Sequence, residues 1–137
     1  MITTYAYVVG DILHYGHLLL YLQNAKALGD RLIVGVLTDE AAMEKKPLPT
    51  IPFLERIIMV NSLKCVDLVV AQDTYAPHDN VRHLGVDILV ESTDHSDELL
   101  DQGKALMQSL GGRLVILPRS KQSSTKIKER IKDGNEN

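Results

Sequence analysis

"TTYAYVVGDILHYGHLLLYLQNAKALGDRLIVGVL", residues 3–37, passes from one β-rich run through a leucine-rich helical run into a second β-rich run. The first, TTYAYVV, is dense in β-branched and aromatic residues, which suit a pleated and partly covered surface. GHLLLYLQNAKALGD follows as a helix: Leu18, Leu22, Ala25 and Leu28 recur at helical spacing, and Gly29 is a natural stop. RLIVGVL is apolar without alternation, the pattern of a strand covered on both faces.

The alternation continues to the end of the chain. TDEAAMEKK predicts a short helix capped by Thr38 or Asp39. PLPTIPFLERIIMVNSL opens as a proline-broken loop and becomes a helix from about Pro52, because proline is tolerated in a first helical turn. VDLVVA, DILVE and RLVILP are three further strands, with PHDNVRHLG and SDELLDQGKALMQSLGG as the helices between them. SSTKIKERI is a last helix, capped by Ser123 or Ser124. Residues 1–132 then form one domain and residues 133–137 a frayed tail.

Five strands separated by helices predict an α/β, Rossmann-like three-layer sandwich with a five-stranded parallel sheet, order 3-2-1-4-5. Ligands of such sheets bind beyond the carboxyl ends of the strands, where the strand order reverses. That crevice falls between strands one and four. The loops to interrogate are GDILHYG, STDHS and RSKQS.

Bulk properties exclude several classes. A length of 137 residues suits one domain with a real core. A net charge of −3 gives no nucleic-acid footprint, so a bound anion must be held by a local cluster. Cys65 stands alone, which rules out an internal disulfide and suits a reducing, cytoplasmic setting; it reads as a small buried hydrophobe. The apolar runs are too short to span a bilayer, so no membrane insertion is expected, and the first residues lack the basic region of a signal peptide.

In the first loop His14 and His17 flank Gly16 where strand gives way to helix. A helix N-terminus presents unpaired N–H groups and partial positive charge, a ready anion site. Gly16 removes a side chain where a phosphate must approach the backbone, and each histidine can donate to an oxyanion. The P-loop and G-x-G-x-x-G fingerprints are missing from the sequence.

HYGH is the H-x-G-H signature of the nucleotidyltransferase superfamily related to class I aminoacyl-tRNA synthetases. DILHYGH…LQNAKALGDRLIVGVLTDE resembles the small glycerol-3-phosphate, ethanolamine-phosphate and phosphonate cytidylyltransferases, and about as closely the adenylyltransferase domain of the heptose-phosphate enzymes. ERIIMVNSLKCVDLVV and PRSKQSSTKIKERI extend the resemblance over nearly the whole chain. It implies attack of a phosphate or phosphonate oxygen on the α-phosphorus of CTP or ATP, with pyrophosphate leaving. The nucleophile is largely ionised already, a second phosphate pKa lying at about 6, so catalysis is positioning and charge stabilisation. Magnesium arrives with the triphosphate.

By the same resemblance His14, His17, Lys46 and Arg119 are catalytic, and Val9, Gly10, Gly16, Asp94, Ser123, Ser124 and Thr125 bind the nucleotide. Lys45 and Arg56 serve the acceptor; the alternative for Arg56 is a side chain snorkelling from an amphipathic helix. Three departures stand out. Val9-Gly10 replaces the usual small residue and phenylalanine before Asp11. Ser92-Thr93-Asp94-His95 replaces a G-D-D-W or G-G-D-Y loop. The block at Arg119 is one residue short. His78 and His83, beside Arg82, read as exposed polar residues.

The leading expectation is cytidylyl transfer from CTP to a small phosphorylated or phosphonate acceptor by a homodimer. Adenylyl transfer from ATP to a sugar phosphate or FMN is the alternative, and a non-catalytic nucleotide-binding module the alternative of another class.

Overall fold

The computed structural model describes residues 1–14, 20–118, 130 and 132. The elements in chain order are β1 (Thr3–Val8), α1 (Gln23–Ala27), β2 (Arg31–Leu37), α2 (Asp39–Met43), α3 (Phe53–Asn61), β3 (Leu68–Gln72), α4 (His78–Leu84), β4 (Ile88–Ser92), α5 (Asp97–Ser109) and β5 (Arg113–Leu117). All pairings are parallel and the order is β3-β2-β1-β4-β5, as expected. The expected last helix lies, Arg130 apart, outside the described residues, as does the tail.

Strand alternation divides the core in two. On β1, Ala6 and Val8 point to one face, joining Leu22 and Ala25 from the α1 side and Val60 of α3. Tyr5 and Tyr7 point to the other, with Ala41 and Ala42 of α2, Val81 of α4 and Met107 of α5. Both faces of the central strands are dry, which is why RLIVGVL shows no polar alternation. One gap in that strand has a purpose: a Cβ on Gly35 would fall on the Tyr5 hydroxyl, which donates to Gln72 Oε1 at 2.6 Å and accepts from Asn80 Nδ2 at 3.0 Å.

The caps follow the local chemistry. Thr38 Oγ1 accepts from the Ala41 N–H at 3.1 Å, and Ser96 Oγ accepts from Leu99 N–H at 3.2 Å. Cys65 is half-buried against the first core layer, and burial pushes its thiol pKa up, as suits an inert side chain. His83 is exposed, but His78 departs from expectation: it is half-buried, its Nε2 enclosed without a hydrogen-bond partner, and burial lowers its pKa. The contact of α4 with α5 beside Gly103 encloses it.

Aspartates stitch the amino edge of the sheet. Asp30, Asp67 and Asp87 each stand just before a strand, and each carboxylate accepts a backbone N–H from the neighbouring chain segment: Ile2 at 2.6 Å, Leu32 at 2.8 Å and Thr3 at 2.8 Å. Lys26 completes the Asp67 site at 2.6 Å, and these bonds hold that carboxyl below its usual pKa. The amino edge is thus closed by the protein's own groups. Among the described residues no helix is long and apolar enough to cross a membrane.

Candidate active site

The β1–β4 ladder is short. It pairs Thr4 with Ile88 and Tyr5 with Leu89 and ends there, whereas β1 follows β2 for six residues and β4 follows β5 for five. Beyond Tyr5 the two central strands therefore part, opening a crevice at the switch point. Three side chains occupy the parting. The Tyr21 hydroxyl lies 3.4 Å from the Tyr7 carbonyl and 3.5 Å from that of Val90, on the two separated strands. On the other face the Tyr7 hydroxyl donates to Glu91 Oε1 at 2.6 Å.

Glu91 is fully buried, and its Oε2 has no hydrogen-bond partner. Burial pushes its pKa up to about 7; the Tyr7 hydrogen bond opposes the shift and the Asp94 charge adds to it. Burial and the neighbouring Glu91 raise the Tyr7 hydroxyl in turn. The loop after β4 folds back over this pair. Ser92 Oγ donates to Asp94, and the His95 N–H reaches the Ser92 carbonyl at 3.4 Å. His95 Nε2 then sits 3.5 Å from the Tyr7 hydroxyl and 3.6 Å from Glu91 Oε1. The His95 ring tilts over the Tyr7 ring with centroids 5.5 Å apart and meets the edge of Tyr75 at 5.9 Å. Lys45 lies over the other part of this row, its Nζ 5.7 Å from the centre of Tyr75. Lys45 is thereby linked to His95, the neighbour of Asp94 in sequence, through an aromatic row that the sequence reading did not single out.

Arg56 holds the neighbouring wall. Its side chain has no exposed surface. Nε donates to the Ile51 carbonyl at 3.0 Å, Nη1 to the carbonyls of Val9 at 2.6 Å and Leu37 at 2.7 Å, and Nη2 to Asp39 Oδ1 at 2.6 Å. It neither snorkels from α3 nor faces an acceptor. It ties the ends of β1 and β2, the start of α2 and the proline loop into one block. Asp11 makes the reciprocal bond, accepting from Thr50 N–H at 3.0 Å and Ile51 N–H at 2.7 Å. Gly10 lets the chain turn toward that loop: its φ is +72°, and a Cβ there would press Val60 at 3.2 Å. That accounts for glycine in the Val9-Gly10 departure.

His14 is half-buried just beyond this block, and Lys46 is exposed at the end of the proline loop. Gly16, His17, Arg119, Ser123, Ser124 and Thr125 lie outside the described residues.

A parallel sheet that splits between its first and fourth strands, with the H-Y-G-H sequence after the first, defines a doubly wound nucleotide-binding fold. Residues 10–130 match the Cytidylyltransferase-like family model, and the chain belongs to that family. The bifunctional protein HldE of Syntrophotalea carbinolica is 38% identical over 127 residues, covering 90% of this chain and 25% of that one. The FAD synthase of Methanothrix thermoacetophila is 38% identical over 126 residues, covering 88% of this chain and 87% of the relative. The crystal structure of the lipopolysaccharide core biosynthesis protein from Thermoplasma volcanium superposes with a TM-score of 0.74 at 31% identity, over 90% of this chain and 99% of that one. The chain spans about a quarter of the length of the HldE relatives it matches.

Two outcomes follow from this geometry. Replacing Arg56 by Met strands three carbonyls and Asp39, so urea unfolding should register a loss of about 3–5 kcal/mol, with Arg56→Lys falling between variant and wild type. A wild-type stability would mean that the guanidinium is dispensable. The second concerns Glu91, whose folded carboxyl keeps its proton to about pH 7 against an ordinary value of 4.5. Its contribution is present below the lower value and is lost as pH rises through the upper one. The stability difference between wild type and Glu91→Gln should therefore move against wild type across this window; a constant difference would contradict the assignment.

Proposed function

We propose that the protein transfers AMP from ATP to a small phosphorylated acceptor, a sugar phosphate or FMN, and releases pyrophosphate. The observation that carries this reading is the FAD synthase relative, similar over most of both chains. The HldE relatives support the same donor, because the heptose-phosphate enzymes' adenylyltransferase domain is what this sequence resembles. The comparisons thus favour ATP over the CTP expected from chain size.

In this reading an acceptor phosphate oxygen forms a bond to the α-phosphorus of ATP. The bond from that phosphorus to the β-bridging oxygen breaks, and the electron pair leaves with pyrophosphate. His14 and His17 meet the phosphates, with His17 nearest the developing charge. Arg119 takes the leaving group as a planar multi-donor, and Ser123, Ser124 and Thr125 supply hydroxyls and amides. Val9 and Gly10 offer backbone to the nucleotide, and Asp94 lies across the crevice. Lys46 approaches the phosphates from the proline loop, with Lys45 toward the acceptor. Arg56 acts through the wall it holds.

Magnesium enters with the triphosphate and offsets its charge. Among the described residues no three His, Cys, Asp or Glu side chains gather into a group that could hold a metal ion.

The test is pyrophosphate release with magnesium, pairing ATP or CTP with heptose 1-phosphate, FMN, glycerol phosphate, ethanolamine phosphate or aminoethylphosphonate. The expected result is release with ATP and one of the first two acceptors, reduced at least about 100-fold in His17→Ala. Faster turnover with CTP would return the reading to cytidylyl transfer. Triphosphate binding by folded protein with no release from any pair would make it a binding module.

A further inference from the structure

We infer that Glu91 is a positioning residue: with Tyr7 it anchors His95 across the parting of β1 and β4, and so sets the loop that carries Asp94 toward the nucleotide. The part concerning the nucleotide rests on the reading proposed above; the anchoring does not.

Glu91 reads in sequence as the ordinary end of DILVE, yet a carboxyl group at this depth is costly unless its oxygens find donors. One oxygen has the Tyr7 hydroxyl and the other has none, so the group is not there to complete a satisfied network. Its neighbours explain what it does instead. Tyr7 reaches it from β1, Asp94 and His95 from the loop after β4, and Tyr21 and Tyr75 stand around the Tyr7–Glu91 pair. In this group His95 is the base able to become a cation, and its ring is enclosed by Tyr7 and Tyr75 with its Nε2 turned to Glu91.

Glu91 Oε1 and His95 Nε2 face each other at 3.6 Å. With Glu91 ionised and His95 protonated, the two attract at short range inside a poorly solvated pocket, and the loop is drawn onto the crevice. When Glu91 takes up a proton the attraction goes, while Tyr7 still bonds the carboxyl. Burial sets that transition close to neutrality. Asp94, in the same loop as His95, is bonded to Ser92 at the end of β4.

The test uses the full chain, wild type against Glu91→Gln. This variant keeps the side-chain volume and an acceptor for Tyr7, so folding is retained. The first readout is the NMR titration of the His95 ring in ligand-free protein. Loss of the anionic partner should lower the ring's midpoint by about 1 pH unit. The second is ATP affinity by calorimetry. At pH 7 the variant should bind ATP about fivefold more weakly than wild type. Tyr7→Phe, which removes the hydroxyl that holds Glu91 Oε1, should weaken ATP binding in the same direction. An unchanged His95 midpoint in Glu91→Gln overturns the inference, whatever the fate of ATP binding. A shifted midpoint in a protein that binds no triphosphate upholds the anchoring and defeats the proposed function instead.

Discussion

A guanidinium with no access to water depends on finding an acceptor for its N–H groups, because an unpaired buried cation costs several kcal/mol. Arg56 meets that demand with three main-chain carbonyls and one carboxylate, drawn from four separate places in the chain. Those places are the ends of β1 and β2, the proline loop and the first turn of α2. A lysine offers a point charge instead of a planar fork and cannot serve all of them. The wall ahead of His14 is built around this one side chain. Asp11, bonded to the amides of Thr50 and Ile51, closes the same wall from the other direction.

The two edges of the sheet are treated in opposite ways. At the amino edge, aspartates placed before β2, β3 and β4 consume the free N–H groups of neighbouring segments, so that edge carries structure alone. At the carboxyl edge the central ladder stops after Tyr5 and Leu89, and side chains, not backbone, fill the gap. Tyr21 and Tyr7 bridge the separated strands on opposite faces. Hydroxyls thus span a parting between strands that would otherwise zip together.

Much of this was legible in the amino-acid order. RLIVGVL reads as a doubly covered strand and spans β2 from end to end, because an apolar run between turn residues admits few alternatives. The cap at Thr38, one of the two expected, follows from local chemistry alone. Arg56 was visible as a candidate, but its burial was not, since helical spacing on α3 says nothing about carbonyls arriving from Val9 and Leu37. Glu91 was hidden more completely. A glutamate at a strand end is ordinary, and only the divergence of β1 from β4 makes its burial consequential. The Gly10 departure became intelligible through one dihedral angle and the closeness of Val60.

The central claim is that a nucleoside triphosphate enters at the carboxyl edge, where β1 and β4 part. Backbone amide NMR with a non-hydrolysable ATP analogue and magnesium tests it without requiring turnover or knowledge of the acceptor. The account predicts that the shifted amides cluster at residues 9–14 and 92–96, while those beside Asp30, Asp67 and Asp87 stay where they are. Shifts concentrated at the amino edge, or on the α4–α5 face, would contradict it.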